Sequence, residues 1–425
     1  MKRLALLVLC AVFLVGIISA SLVSAQAGWN CMYGNAGDDV AYSAVQAAND
    51  GFAVAGSTNS SDTGSLDGWL VKIDSSGKMQ WNKTYGGNKN DVFHSVICTS
   101  DGQYAMAGYT ASYGADALDF WLVKVDSSGN MLWNKTFGET GNDEAWCLIQ
   151  ASDGGYVLTG TTNSSGKTDF WLVKTDSSGN MQWNKKYGGT GDEVAKCVIQ
   201  TRNDGYSLAG YKRAYNATAF NMWIVKTDSS GNAQWNQIFG GSGHSGAFSV
   251  MQTSDQGYAL VGATVSCSAN KSDAWLIKLG KTGSMEWNQT YGSKMQDAAC
   301  SFIQTSDGGY ALAGITESFG AGGQDCWVVK TDASGNIQWN QTYGGSKSDG
   351  VYSLFQAGDG GFVLVGYSES NSNGGKDFLV IKTDASGAVP EFSAPLIMVL
   401  LALVSFAALT YKRSILHSGK RFSNV

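Results

Sequence analysis

Proline is nearly missing from this chain: two residues in 425, Pro390 and Pro395, both close to the C-terminus. The long stretch before them is free to run through hydrogen-bonded ladders, with its turns left to glycine, of which there are 55. Charge is scarce as well. Charged residues make up 15%, and the net charge is −6. Without a Lys/Arg surplus there is no face for phosphates, which argues against nucleic acid as a partner. Histidine is rarer still. Only His94 and His244 fall in the long middle stretch, and no G-x-S-x-G or H-E-x-x-H motif accompanies them. No nucleophile–base set is legible, so the chain is expected not to be an enzyme. The eight cysteines include Cys10 in an N-terminal apolar run; the remaining seven are an odd number without C-x-x-C spacing. That excludes a dense disulfide framework and a zinc-ribbon pattern. No long polar tract suggests disorder.

Both ends are apolar. Lys2-Arg3 precede the run Leu4–Ile18, and Ala25-Gln26-Ala27 is an A-x-A cleavage pattern. Residues 1–27 read as a secretory signal peptide. Ala394–Tyr411 is long enough to span a bilayer and is followed by Lys412-Arg413 and Lys420-Arg421. The expectation is a linker at 388–393, a transmembrane helix at 394–411 and a basic cytoplasmic tail at 412–425. The positive-inside tendency then leaves the middle of the chain outside the cell.

The middle is a repeat. A Trp-Asn pair recurs at Trp29, Trp81, Trp133, Trp183, Trp235, Trp287 and Trp339, in steps of 52, 52, 50, 52, 52 and 52 residues. A second tryptophan precedes it at Trp69, Trp121, Trp171, Trp223, Trp275 and Trp327, with Leu379 in the seventh unit. Each unit holds four strand-like runs; in the second they are Ser95–Thr99, Tyr104–Tyr109, Phe120–Val125 and Met131–Phe137. The connections are short or rich in glycine, and no helical period appears before residue 394. Four antiparallel strands at this period suit the blades of a β-propeller.

The words GG-x-x-x-D, SVIQTSDGGYALAGYT and DFWLVKTDSSGNMQWNKTYGG carry a resemblance. Residues 28–387 resemble the seven-bladed β-propeller repeat (SBBP-like) family of secreted bacterial and archaeal surface proteins. Val389-Pro390-Glu391-Phe392, the apolar span and the Lys-Arg pair resemble PEF-type C-terminal sorting signals of archaeal surface proteins. The resemblance implies an all-β, seven-bladed propeller of four-stranded antiparallel blades, plus one C-terminal transmembrane helix. It implies little about function, because propellers host many activities.

With strands named A to D from the channel outward, the last unit has only A, B and C. Gly28–Tyr33 is an orphan D strand and is expected to complete blade seven. The two tryptophan series read as core. A glycine recurs near the end of strand B at Gly56, Gly108, Gly160, Gly210, Gly262, Gly314 and Gly366. Strand glycines mark a close approach, and a neighbouring tryptophan ring is the expected occupant. Asp74, Asp126, Asp176, Asp228, Asp332 and Asp384 read as Asx-type turn formers in the C–D hairpins.

Two further acidic sets fall on one face of the ring, where chain direction gathers the D–A and B–C loops. Asp39, Asp91, Asp143, Glu193, Asp297 and Asp349 precede strand A. Asp67, Asp119, Asp169, Asp273, Asp325 and Asp377 precede strand C. Strand-start caps explain them; Ca²⁺ held by Asp39, Asp91, Asp143, Asp297 and Asp349 is the alternative. N-x-S/T sequons mark Asn59, Asn82, Asn134, Asn163, Asn216, Asn270, Asn288 and Asn340 as candidate glycosylation sites.

The informative positions are those where the repeats disagree. Four residues before the end of strand A the chain reads Tyr42, His94, Trp146, Lys196, Phe248, Cys300 and Tyr352. These form a varied ring near the mouth of the channel. Blade four adds a basic-aromatic loop, with Lys212, Arg213 and Tyr215. The candidate ligand-binding residues are therefore Tyr42, His94, Trp146, Lys196, Lys212, Arg213, Tyr215, Phe248 and Tyr352. The expected function is a membrane-anchored surface propeller that binds an extracellular protein or glycan through its D–A/B–C loop face. A structural envelope component and a polysaccharide-active enzyme remain the alternatives.

Overall fold

In the computed structural model, residues 28–48, 51–59, 65–115, 117–163, 166–214, 217–265, 271–372 and 374–389 are described. The expected signal peptide, transmembrane helix and basic tail lie outside these residues. Among the described residues no helix is long and apolar enough to cross a membrane.

Seven four-stranded antiparallel sheets account for every strand of the described residues. Blade three shows the pattern: strand A Asp143–Gln150, B Tyr156–Thr162, C Asp169–Thr175 and D Met181–Tyr187. Blade seven has its own A, B and C strands, and Trp29–Tyr33 pairs with strand C as its fourth member, with Trp29 opposite Lys382 and Tyr33 opposite Phe378. The orphan D strand thus closes the ring. Strand A is longer than the sequence suggests; in blade two it runs Asp91–Cys98.

Strands B and C are almost wholly buried, whereas strand D alternates exposed and half-buried residues. The two inner strands are apolar on both faces because each blade lies between two others. The seven apolar clusters therefore sit between blades. Trp171 faces Phe120 of blade two at 4.6 Å, while its neighbour Phe170 faces Trp223 of blade four at 4.5 Å.

The C–D hairpin is built as its sequence dictates. Asp176 Oδ1 accepts the amides of Ser178 (2.9 Å) and Asn180 (2.8 Å), and Gly179 takes φ 78°. The Trp-Asn pair then works twice. Asn184 Oδ1 accepts the indole N–H of Trp171 at 3.2 Å. Trp183 lies against Gly231 in the next blade's turn, where an added Cβ would come within 2.8 Å of the ring. The hydroxyl of Tyr187 donates to the Gly231 carbonyl at 2.6 Å. Each outer hairpin is thereby fastened to the following blade.

The strand-B glycines have a different cause from the expected tryptophan ring. A Cβ on Gly160 would lie 1.9 Å from the Glu144 carbonyl oxygen of strand A. The same backbone approach recurs at Gly56, Gly108, Gly210, Gly262, Gly314 and Gly366. Strand A needs that room because it bulges there.

Candidate functional site

Every strand A breaks register at one place: Ala41/Ser43, Phe93/Ser95, Ala145/Cys147, Ala195/Cys197, Ala247/Ser249, Ala299/Ser301 and Val351/Ser353. A β-bulge leaves one residue outside the ladder and re-aims its side chain. The residues so released are Tyr42, His94, Trp146, Lys196, Phe248, Cys300 and Tyr352. All seven line one cavity of about 430 Å³ at the channel mouth, together with Ala298 and Ile315. The varied ring is thus a bowl. Cys300, Ala298 and Ile315 complete its wall in blade six. Cys300 shares the bulge position with the other members; Ala298 and Ile315 carried no sequence signal.

Half of the bowl is a run of touching rings. Tyr42 lies 5.3 Å from Tyr352 and 4.9 Å from His94. His94 stacks on Trp146 at 4.0 Å and 22°. The Lys196 ammonium sits over the other end of this run, 3.0 Å from the Trp146 ring centre. Such a contact is a cation–π interaction.

Burial sets the protonation of the lining. It pushes Lys196 down to about 7, with Glu144 and Cys300 partly opposing the fall. Burial, then the Lys196 charge, holds His94 down at about 3, so its imidazole is neutral at physiological pH. Among the described residues neither ring nitrogen of His94 has a hydrogen-bond partner. Burial raises the Tyr42 hydroxyl, raises Tyr352 further, and pushes the Cys300 thiol up to about 12. Lys196 is the group whose charge changes near neutral pH.

Lys212 and Arg213 do not join the bowl. They lie on strand B of blade four, directly opposite Glu193 and Asp192 of strand A. Lys212 Nζ is 3.1 Å from Glu193 and lies over Trp223 at 4.5 Å. Arg213 pairs with Asp192 and covers Phe220. The expected basic loop is therefore tied down by its own blade. Tyr215 lies outside the described residues.

The acidic face is likewise occupied by its own chain. Asp91 accepts hydrogen bonds from the hydroxyls of Thr110 and Ser112 and from the Gly87 amide at 2.8 Å. Asp297 accepts the hydroxyls of Thr316 and Ser318 and the Ser293 amide, and Asp349 accepts the Ser370 hydroxyl and the Gly345 amide. Asp39 and Asp143 accept the amides of Asn35 and Glu139. Among the described residues no group of three or more His, Cys, Asp or Glu converges on one point. The five aspartates are strand-start caps in separate blades, as expected, and the alternative of a shared Ca²⁺ site finds no cluster among the described residues.

Asn82, Asn134, Asn288 and Asn340 are exposed on outer strands. Three of them accept an indole N–H: Asn82 from Trp69, Asn288 from Trp275 and Asn340 from Trp327. Packing alone explains the repeated asparagine there. Asn59 accepts the Asp38 amide, and Asn163 directly follows strand B of blade three, in the B–C loop. Asn216 and Asn270 lie outside the described residues. Cys147 and Cys197 hold matching places in neighbouring blades as free thiols. The hydrogen bond between them raises Cys147 and lowers Cys197.

No family model and no curated protein matches the chain. Solved structures match it as a fold. The WD40 domain of Neurospora crassa Pan2 is 9% identical, with a TM-score of 0.50 over 82% of this chain and 90% of that one. Chaetomium thermophilum Sqt1 bound to the N-terminus of the ribosomal protein L10 is 13% identical, with a TM-score of 0.49 over 82% and 97%. Penicillium chrysogenum α-L-arabinanase complexed with arabinobiose is 9% identical, with a TM-score of 0.48 over 84% and 98%. These likenesses concern architecture alone: the chain is a seven-bladed, all-β propeller.

Proposed function

We propose that the protein is a ligand-binding propeller displayed on the outer side of a membrane, with the bowl at the channel mouth as its binding site. One observation carries this reading. The seven varied bulge positions of strand A all line a single cavity. Apolar cavities with a few polar groups are the usual form of small-ligand sites. Five of the seven are aromatic in character, although they face the channel and contribute little to the cores between blades. The apolar ends of the chain support display at a membrane, with the propeller outside.

The bowl is a binder's site more than a catalyst's. His94 is too weak a base at about 3, and the Cys300 thiol stays protonated at about 12. Neither suits acid–base or nucleophilic work near neutral pH. The surrounding D–A and B–C loops would offer the rim to a larger extracellular protein or glycan.

The test is a screen of the full-length protein against protein, glycan and small-molecule arrays, repeated with Trp146→Ala and Tyr42→Ala. A ligand of the wild type that is lost in both variants, with unchanged circular dichroism, is the expected result. A ligand held equally well by both variants would place binding elsewhere. Protease added to intact cells should cut the propeller; protection of the propeller would refute the proposed topology.

A further inference from the structure

We infer that the bowl takes a small, flat, apolar monocarboxylic acid, its carboxylate on the Lys196 ammonium and its body against His94 and Trp146. This rests on reading the bowl as a ligand site and adds the chemistry of the ligand.

The lysines of strand C are buried and have partners, whereas Lys196 is half-buried on strand A. Lys72 and Lys226 donate to the Ile73 and Thr227 carbonyls, and Lys124, Lys174, Lys278, Lys330 and Lys382 each have an aspartate within 2.7–3.1 Å. Lys196 has none: no carboxylate of the described residues lies within ion-pair distance of its Nζ. What faces it is the Trp146 ring, with Glu144 beyond contact on strand A of blade three and Cys300 from blade six. A desolvated ammonium without a counter-ion is costly. An incoming carboxylate supplies the missing partner in a site of low dielectric.

The walls define the rest of the ligand. Lys196 is the one cation among the lining residues, which fits a single negative charge. The run Tyr352–Tyr42–His94–Trp146 presents ring faces and edges. It offers few hydrogen-bonding atoms, since the His94 nitrogens are buried in the wall. A hydroxyl-rich sugar acid would leave its hydroxyls unpaired there, whereas an aromatic body loses nothing. A volume of about 430 Å³ suits a molecule of one or two rings.

A proton is linked to this event. Lys196 titrates at about 7 without ligand. A bound carboxylate favours the charged amine, so above neutrality binding takes up a proton and weakens as pH rises. Glu144 and the Cys300 thiol face the same amine, and Tyr42, Tyr352 and His94 close the wall; none of the last three changes charge near pH 7.

The test is calorimetric titration of the full-length protein with phenylacetate, phenylacetamide and glucuronate at pH 6.5 and 8. Phenylacetate is expected to bind at least tenfold more tightly than phenylacetamide at pH 6.5. At pH 8 its heat should vary with the ionisation enthalpy of the buffer, reporting proton uptake. Lys196→Met should reduce phenylacetate to the level of the amide, while Lys196→Arg keeps the preference for the acid. Equal binding of acid and amide, a preference for glucuronate, or an acid preference surviving in Lys196→Met would overturn the inference and leave the bowl a ligand site. Binding of none of the three would also overturn the inference, and the array screen then decides separately whether the bowl is a ligand site.

Discussion

The C–D hairpin is nearly the same in the six blades that have one, and its repeated side chains have repeated partners. Asp176 holds its turn, Trp171 bonds Asn184, and Trp183 and Tyr187 seat the turn of the next blade. The bulge of strand A keeps its backbone through the ring while its side chain changes from tyrosine to histidine, tryptophan, lysine, phenylalanine and cysteine. Where a side chain serves the contact between blades, the symmetry of the ring demands the same residue each time. Where it points into the channel, the seven copies meet one another and need not be alike. Architecture and recognition are thus divided between the outer and inner ends of one sheet.

That division is tested hardest at the closure. Removing residues 28–34 takes away a whole outer strand from blade seven. It also removes the Trp29 indole bond to the Ser75 carbonyl at 2.9 Å and the Tyr33 hydroxyl on the Gly77 carbonyl. Two large aromatics and five ladder positions are lost at one interface. The expected cost is about 5 kcal/mol or more, a fall of about 10 °C in the thermal midpoint. The exposed edge of Asp377–Lys382 should also promote aggregation. A midpoint within about 2 °C of the wild type would show that the ring does not depend on its outer strand.

Next comes one substitution made in both regions. Lys330 donates to Asp307 (2.7 Å), to the Thr331 carbonyl (2.8 Å) and to Gln338 (2.9 Å). Lys330→Met leaves the buried carbonyl without a donor, while Asp307 can turn to water. Calorimetry should find a loss of about 2 kcal/mol. The hydrogen bond from Lys330, with that of Thr305, holds Asp307 down at about 2. A carboxylate with a depressed folded pKa stabilises fully above about 4 and loses that contribution as pH falls through 2. The stability gap between wild type and Asp307→Asn should therefore close on acidification, and because Asp307 is half exposed the gap is under about 1 kcal/mol. Lys196→Met should do the opposite of Lys330→Met. Lys196 is charged at a penalty below about 7, and the penalty fades as pH rises toward its unfolded value. The variant should melt higher than wild type at pH 6, with the gain gone by about pH 10. Destabilisation by both substitutions would mean that the inner ring is architecture too.

The sequence carried most of this because a repeat is a set of seven parallel readings. The period, the orphan strand and the varied ring were all legible from spacing. The bulge was not, because no residue type encodes it; only the recurrent glycine opposite betrayed a close approach, and the approaching group is the strand A carbonyl. The basic loop of blade four misled for a simpler reason. Lys212 and Arg213 looked free in a linear reading, but antiparallel pairing sets them across from Glu193 and Asp192. The acidic face misled in the same way: Thr110 and Ser112 lie about twenty residues from Asp91, yet the A–B pairing brings their hydroxyls onto it.

The finest test uses the two blades that break the outer rule. Tyr85 and Tyr291 donate to the Gly129 and Gly335 carbonyls of the following blade at 2.7 and 2.8 Å, and Tyr33, Tyr187 and Tyr343 make the same bond. Phe137 and Phe239 stand at this position in blades two and four, and both are buried. Opposite Phe239 the Gly283 turn has φ 82° and an added Cβ there would lie 2.8 Å from the Trp235 ring, as at the tyrosine-bearing interfaces. The receiving carbonyl is therefore already in place. Phe239→Tyr should add one hydrogen bond and about 1 kcal/mol, or about 2 °C in the midpoint. Because Phe239 is remote from the bowl, ligand binding should not change. A fall in the midpoint would mean that the hydroxyl is not the fastening element in the outer layer, and that the recurring tyrosines act through their rings alone.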